Sequence, residues 1–129
     1  VQARALTVLA PALKRFGPTP AADDSPLVTN LREVMVMLLG SAGDREVLAA
    51  ARRYVAALRT DPAAIPAPIR SAMLASYATN ATAAEWDALA ALARAEASPV
   101  ARNSYIRLLG GARDEALARR ALDLVRATE

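Results

Sequence analysis

Apolar residues return at intervals of three and four in one segment of this chain after another, and no stretch alternates with period two. That spacing builds helices with one apolar face each and leaves no material for a sheet. Composition points the same way. Alanine fills 33 of the 129 positions and glycine only five, and alanine is the strongest helix former while glycine in a helix interior is among the weakest. The expected fold class is all-α.

Punctuation divides the chain into about seven helical segments. The first, from about Gln2 to Phe16, sets Leu6, Leu9, Leu13 and Phe16 on one stripe, is interrupted by Pro11, and ends at Gly17-Pro18-Thr19-Pro20. The stretch Ala5 to Leu13, with Arg4 before it, has the length of a signal-peptide core, but the stripe and Pro11 favour an amphipathic helix. Ser25-Pro26 opens the second segment, because serine accepts from the orphan amides and proline needs no donor at the first helical position. Its expected inward face is Leu27, Leu31, Val34 and Leu38, with an end near Gly40. Asp44 caps the third, with Val47, Ala51, Tyr54 and Leu58 inward, and Asp61-Pro62 closes it.

A stiff loop from Asp61 to Pro68 carries three prolines into the fourth segment, whose inner side is Ile69, Met73 and Tyr77. Thr82 and Glu85 have capping-box spacing and start the fifth, with Trp86, Leu89 and Leu92 inward. Ser98-Pro99 opens the sixth, with Tyr105, Leu108 and Leu109, and Asp114 caps the seventh, with Leu117, Ala121 and Leu124.

The chain repeats itself. Superposing Arg32, Arg70 and Arg102, which lie 38 and 32 residues apart, aligns Arg32 to Gly40 with Arg102 to Gly110 and brings Asp44, Thr82 and Asp114 into register. Those offsets fall within or just below the range of about 33 to 47 residues of helical-hairpin repeats. One helix pair cannot bury its apolar stripe alone, whereas stacked pairs share a continuous core. The expected architecture is therefore an α-solenoid of stacked antiparallel helix pairs, HEAT/TPR-like, forming a single helical-repeat domain over residues 1–129. Because Val1 already stands inside a periodic pattern, the chain reads as a piece of a longer protein.

There is no histidine and no cysteine, which excludes Ser-His-Asp triads, Cys-His pairs, histidine or thiolate metal sites and disulfides. The expected catalytic and metal residues in these 129 positions are none. The net charge of +3 rests on 16 basic residues, all arginine except Lys14. So arginine-heavy and alanine-rich a composition reflects GC-rich coding, so no nucleic-acid partner is expected. No run of about 18 uncharged apolar residues marks a membrane span. Nothing in the sequence fixes a compartment.

The order Leu31-Arg32, Leu39-Gly40, Gly43-Asp44, Ile65-Pro66-Ala67-Pro68-Ile69-Arg70 and Glu85-Trp86-Asp87-Ala88-Leu89, continued by Arg102 to Gly110 and Asp114 to Leu124, resembles a known family. It is similar to the HEAT-like C-terminal domain of zinc-dependent aminopeptidases of the aminopeptidase N and puromycin-sensitive type, the endoplasmic-reticulum aminopeptidases among them, from about Phe16 onward. The resemblance implies a non-catalytic domain that closes the substrate chamber over the active site and helps select peptides. It also implies zinc in a separate catalytic domain of the same chain, which would be a partner together with the peptide substrate. None of that family's metal or amine-binding residues can be placed on this sequence. A stand-alone helical-repeat adaptor is the alternative, and an exposed groove including Met35, Met37 and Tyr77 would be its trace.

Arg32, Arg70 and Arg102 share one repeat position and are the candidate peptide contacts, since stacked guanidiniums can hold a carboxylate through paired hydrogen bonds. The competing expectation is that they are solvated or paired with a neighbouring acid. Asp23-Asp24 reads as a turn with solvated charge, Arg52-Arg53 and Arg119-Arg120 as solvent-facing steps, and Trp86, Tyr54, Tyr77 and Tyr105 as core.

Overall fold

The structure is a computed structural model that describes residues 17–128, with Pro11 and Arg15 before them, both helical and exposed. The rest of the expected first helix lies outside the described residues. Among the described residues six α-helices and one short 3-10 turn occur, and no strand. They are α1 (Pro26–Ala42), α2 (Arg45–Ala57), the turn Ala67–Ile69, α3 (Arg70–Thr79), α4 (Ala83–Ala95), α5 (Pro99–Gly110) and α6 (Glu115–Thr128). The chain divides into two compact units, one up to Tyr77 and one from Ala78.

Five of the six helices start where a side chain can satisfy the orphan amides of the first turn, and α3 instead follows the 3-10 turn without a side-chain cap. Ser25 Oγ accepts from Val28 N at 3.2 Å, Asp44 Oδ2 from Val47 N at 3.1 Å, and Ser98 Oγ from Ala101 N at 3.4 Å. Asp114 Oδ1 accepts from Ala116 N at 2.9 Å and Leu117 N at 3.3 Å. At Thr82 the capping box is complete: Glu85 N donates to Thr82 Oγ1 and Thr82 N to Glu85 Oε1.

The exit from α1 is equally specified. Gly43 adopts φ 85°, its N–H reaches Gly40 O at 3.1 Å, and Asp44 N reaches Leu39 O at 2.9 Å. This Schellman closure needs a left-handed residue, which glycine supplies without steric penalty. Asp44 thus ends one helix and caps the next, and the α1–α2 turn is tight.

In the first unit α1 packs on α2 and on the 3-10 turn. Gly40, buried in α1, lies against Ser76 of α3, and a Cβ there would overlap Ser76 Oγ and come within 3.3 Å of a Val47 methyl. In the second unit α4 packs on α5 and α5 on α6. Trp86 is buried there, and its Nε1 donates to Leu109 O at 3.2 Å. The helix-pair packing within each unit is that of an all-α chain and is compatible with the expected solenoid.

The inward faces of α2 to α6 contain the expected residues: Val47, Ala51, Leu58, Ile69, Met73, Tyr77, Trp86, Leu89, Tyr105, Leu109, Leu117 and Ala121 are buried. Tyr54, Leu92, Leu108 and Leu124 are half-buried. The face of α1 is a correction. Leu27, Leu31, Val34 and Leu38 are exposed, and the buried stripe is Arg32, Met35, Val36, Leu39 and Gly40 on the opposite side. α1 is apolar on both sides, so periodicity alone offers two solutions. The side carrying Gly40 wins because a residue without Cβ lets α3 approach closely.

Candidate functional site

The three register-matched arginines do one thing in common: each donates to a backbone carbonyl of the loop before its own helix. Arg32 Nε donates to Gly17 O at 3.1 Å, Arg70 Nη1 to Pro62 O at 3.2 Å, and Arg102 to Glu96 O through Nε at 3.3 Å and Nη2 at 3.0 Å. Side chains starting near a helix N-terminus lean back over the preceding turn. They therefore meet the incoming loop. Each sits at its own loop, with Arg70 and Arg102 half-buried and Arg32 only 2% exposed.

Arg32 goes further than the others. Both of its terminal nitrogens face Asp24, with Nη1 on Oδ2 and Nη2 at 3.5 Å from Oδ1. Asp24 Oδ2 also accepts from Ala21 N at 2.8 Å. The Arg32 hydrogen bond, followed by the Ala21 amide, holds the Asp24 carboxyl below its ordinary value. Asp23 beside it is exposed. The acidic pair is therefore a turn in which one member anchors the loop, and among the described residues no group of three or more potential metal ligands occurs.

A second cluster sits in the second unit. The Arg120 guanidinium lies 4.4 Å from the Trp86 ring centroid, and its Nη2 donates to Asp87 Oδ1 at 2.8 Å. Arg120 spans from α6 to α4 and covers the tryptophan, so this member of the dibasic step has a packing role; Arg119 pairs with Glu115 one turn back at 2.6 Å. Of the aromatics, Tyr77 and Tyr105 are buried with Trp86, and Tyr54 is half-buried with its hydroxyl 3.1 Å from Thr19 Oγ1. The groove expected of an adaptor is not formed by its expected residues, because Met35 and Tyr77 are buried and only Met37 is exposed.

Among the described residues, two open apolar surfaces stand out. One is the outer face of α1 described above, where Leu27 is 67% exposed. The other is a groove of about 380 Å³ between α5 and α6, whose apolar lining is Ile106, Ala118, Ala121, Leu122 and Val125 around Gly110. Neither surface holds a nucleophile with a base beside it. Pairing of Arg32 with a nearby acid was expected and is found with Asp24; sequence reasoning missed the groove and the Arg120 cover, for which the glycine ending α5 was the available signal.

No described helix is long and apolar enough to cross a membrane. Compared with known proteins, the chain matches the family described as ERAP1-like C-terminal domain over residues 1–129. No curated protein and no solved structure matches it.

Proposed function

Because the chain belongs to the family of ERAP1-like C-terminal domains of aminopeptidases, we propose that it closes the substrate chamber of a zinc-dependent aminopeptidase and helps select the peptides that enter. The observation that carries this reading is the family match along the whole chain. The chemistry agrees with it: without histidine or cysteine, and with no cluster of three acids among the described residues, these residues do not fit zinc. Zinc and the reacting groups would belong to a separate catalytic domain of the same parent chain. This part would supply wall and lid.

Helices are suited to that task. A wall must keep its shape while a peptide presses on it, and capped helices joined by clamped loops resist local opening. Peptide contact would fall to Arg70 and Arg102, which are half-buried, while Arg32, held by Asp24 and Gly17, would act by fixing the loop beside it.

The test uses the parent enzyme with and without residues 1–129, assayed on an aminoacyl reporter and on peptides of increasing length. Deletion is expected to leave reporter cleavage in place and to flatten the length dependence of kcat/KM. An unchanged length profile would overturn the chamber role. Cleavage of the reporter by the isolated domain with added zinc would overturn the non-catalytic assignment. The outer face of α1 favours a second reading, a helical-repeat adaptor that binds a protein segment. Recovery of a stable partner that is not a peptidase domain, lost on changing Leu31 and Val34 to polar residues, would support that version.

A further inference from the structure

We propose that the groove between α5 and α6 is a binding site for a free, single-chain alkyl carboxylate. Its floor is made by Gly110, Ala118 and Ala121, residues with no more than one side-chain carbon, and its walls by Ile106, Leu122 and Val125. Nothing lies within 4 Å of a Cβ built on Gly110, so the floor is open down to the backbone there. Leu122 and Val125 are 59% and 39% exposed. That leaves apolar surface in water which a hydrocarbon ligand would cover, and the burial would drive binding.

The lining defines the ligand's body. No hydroxyl, side-chain amide or aromatic ring takes part in it, and its polar side chains are Arg107, Glu115 and Arg119. An extended peptide or a sugar would turn hydrogen-bonding groups toward walls that cannot answer them, which is costly. A hydrocarbon chain has none to satisfy. Size points the same way. The groove holds about 380 Å³, within the range of small-molecule pockets. At roughly 30 Å³ for each water-sized group, it takes about a dozen of them, which is one chain of ten carbons with its carboxylate. A ten-residue helix, about 10 Å wide and 15 Å long, displaces roughly 1,200 Å³ and would rest on the groove instead of entering it.

Charge defines the ligand's head. Glu115 and Arg119 are held by each other at 2.6 Å. Arg107 stands exposed at the rim with no acidic partner among the described residues. The unmatched charge is therefore positive, so an anionic head is favoured and a cationic one repelled. A carboxylate suits a guanidinium better than other small anionic groups do not require, since its two oxygens accept from two parallel donors.

The probe is sodium decanoate, kept below the concentration at which it forms micelles and titrated onto the isotope-labelled protein. It is expected to bind saturably, to shift Ala118, Ala121, Leu122 and Val125, and to lose about two- to fourfold in affinity for each methylene removed from the chain. Arg107→Gln should weaken decanoate about tenfold and leave decanol unchanged. Gly110→Leu adds its side chain where a Cβ meets nothing, so it should keep the helix content by circular dichroism and weaken both ligands at least about tenfold. Absence of saturable binding, equal affinity for decyltrimethylammonium, or unchanged binding to the Gly110→Leu protein would overturn the assignment. So would self-association of the free protein that Gly110→Leu abolishes, because the groove would then belong to a second copy. Loss of decanoate binding in the parent enzyme, read by calorimetry, would overturn it as well, since another part of that chain would then fill the groove.

Discussion

The hairpin α1–α2 in the first unit and the hairpin α5–α6 in the second are built on one register and end in different states. In the first, a glycine in the last part of one helix receives a neighbouring helix so closely that no side chain fits. In the second the matching glycine faces open space. The turns differ as well: α1 runs two residues past Gly40 into a left-handed Gly43, whereas α5 stops at Gly110 and Gly111 takes φ −84°. The lesson is that two hairpins can share a register and a glycine and still differ in what packs against it. A glycine read from sequence marks a place where something can come close, and only the structure says whether it has.

Several substitutions can break or sharpen that comparison. The largest effect is expected from Trp86→Ala, which empties the centre of the second unit and removes the Nε1 bond to Leu109 O; about 3–5 kcal/mol of destabilisation should appear in urea unfolding followed by circular dichroism. Trp86 is the single tryptophan, so its fluorescence reports the second unit while the helical signal reports both. Transitions that do not coincide would show the two units unfolding separately.

The paired glycines come next. Gly40→Ala should destabilise by about 1–3 kcal/mol through overlap with Ser76, and Ser76→Gly in the same chain should recover part of the loss. Gly110→Ala should instead stabilise by roughly 0.5–1 kcal/mol through helix propensity, since its Cβ meets nothing. Equal effects at the two positions would erase the distinction between a crowded and an open glycine. Thr82→Ala, which removes the capping box of α4, should cost about 1 kcal/mol in the same assay.

A smaller, pH-dependent effect belongs to the first unit. The folded-state value of Asp24 is lowered, so its contribution is present at pH values above about 4, the unfolded value, and is lost as pH falls through the folded one. Asp24→Asn should lower stability at neutral pH and remove that part of the acid-side decline, as read from thermal melts between neutral and strongly acidic pH. An unchanged decline would mean that the Arg32 anchor does not contribute to the first unit's acid sensitivity. The exposed pair of Arg119 and Glu115 should matter least, with Arg119→Ala changing stability by no more than about 0.5 kcal/mol.

Much of the fold was legible because it is written in local chemistry. Ser25, Asp44, Thr82, Ser98 and Asp114 start helices in the structure where the sequence predicts them, since a cap depends only on residues within one turn. The inner faces of α2 and of α4 to α6 followed from spacing, because their outer faces carry charges that leave one solution. α1 carries leucine, valine or methionine on both sides, and the choice between them was made by a residue 36 positions away, Ser76 against Gly40. Arg32, Arg70 and Arg102 share a register that was readable. Their loop carbonyl partners were not, because a backbone acceptor leaves no mark on sequence.

Those three clamps have a consequence for how the chain can change. Gly17, Pro62 and Glu96 are each held by the main-chain oxygen, an atom that every residue type presents alike. Side chains at these loop positions can therefore drift without loosening the grip of the guanidinium. What is intolerant is the arginine itself: lysine offers no planar pair of donors to reproduce the Arg102 contact. Variation across related chains should consequently concentrate on the clamped side of each pair, making these loops natural places to graft new sequence into the scaffold.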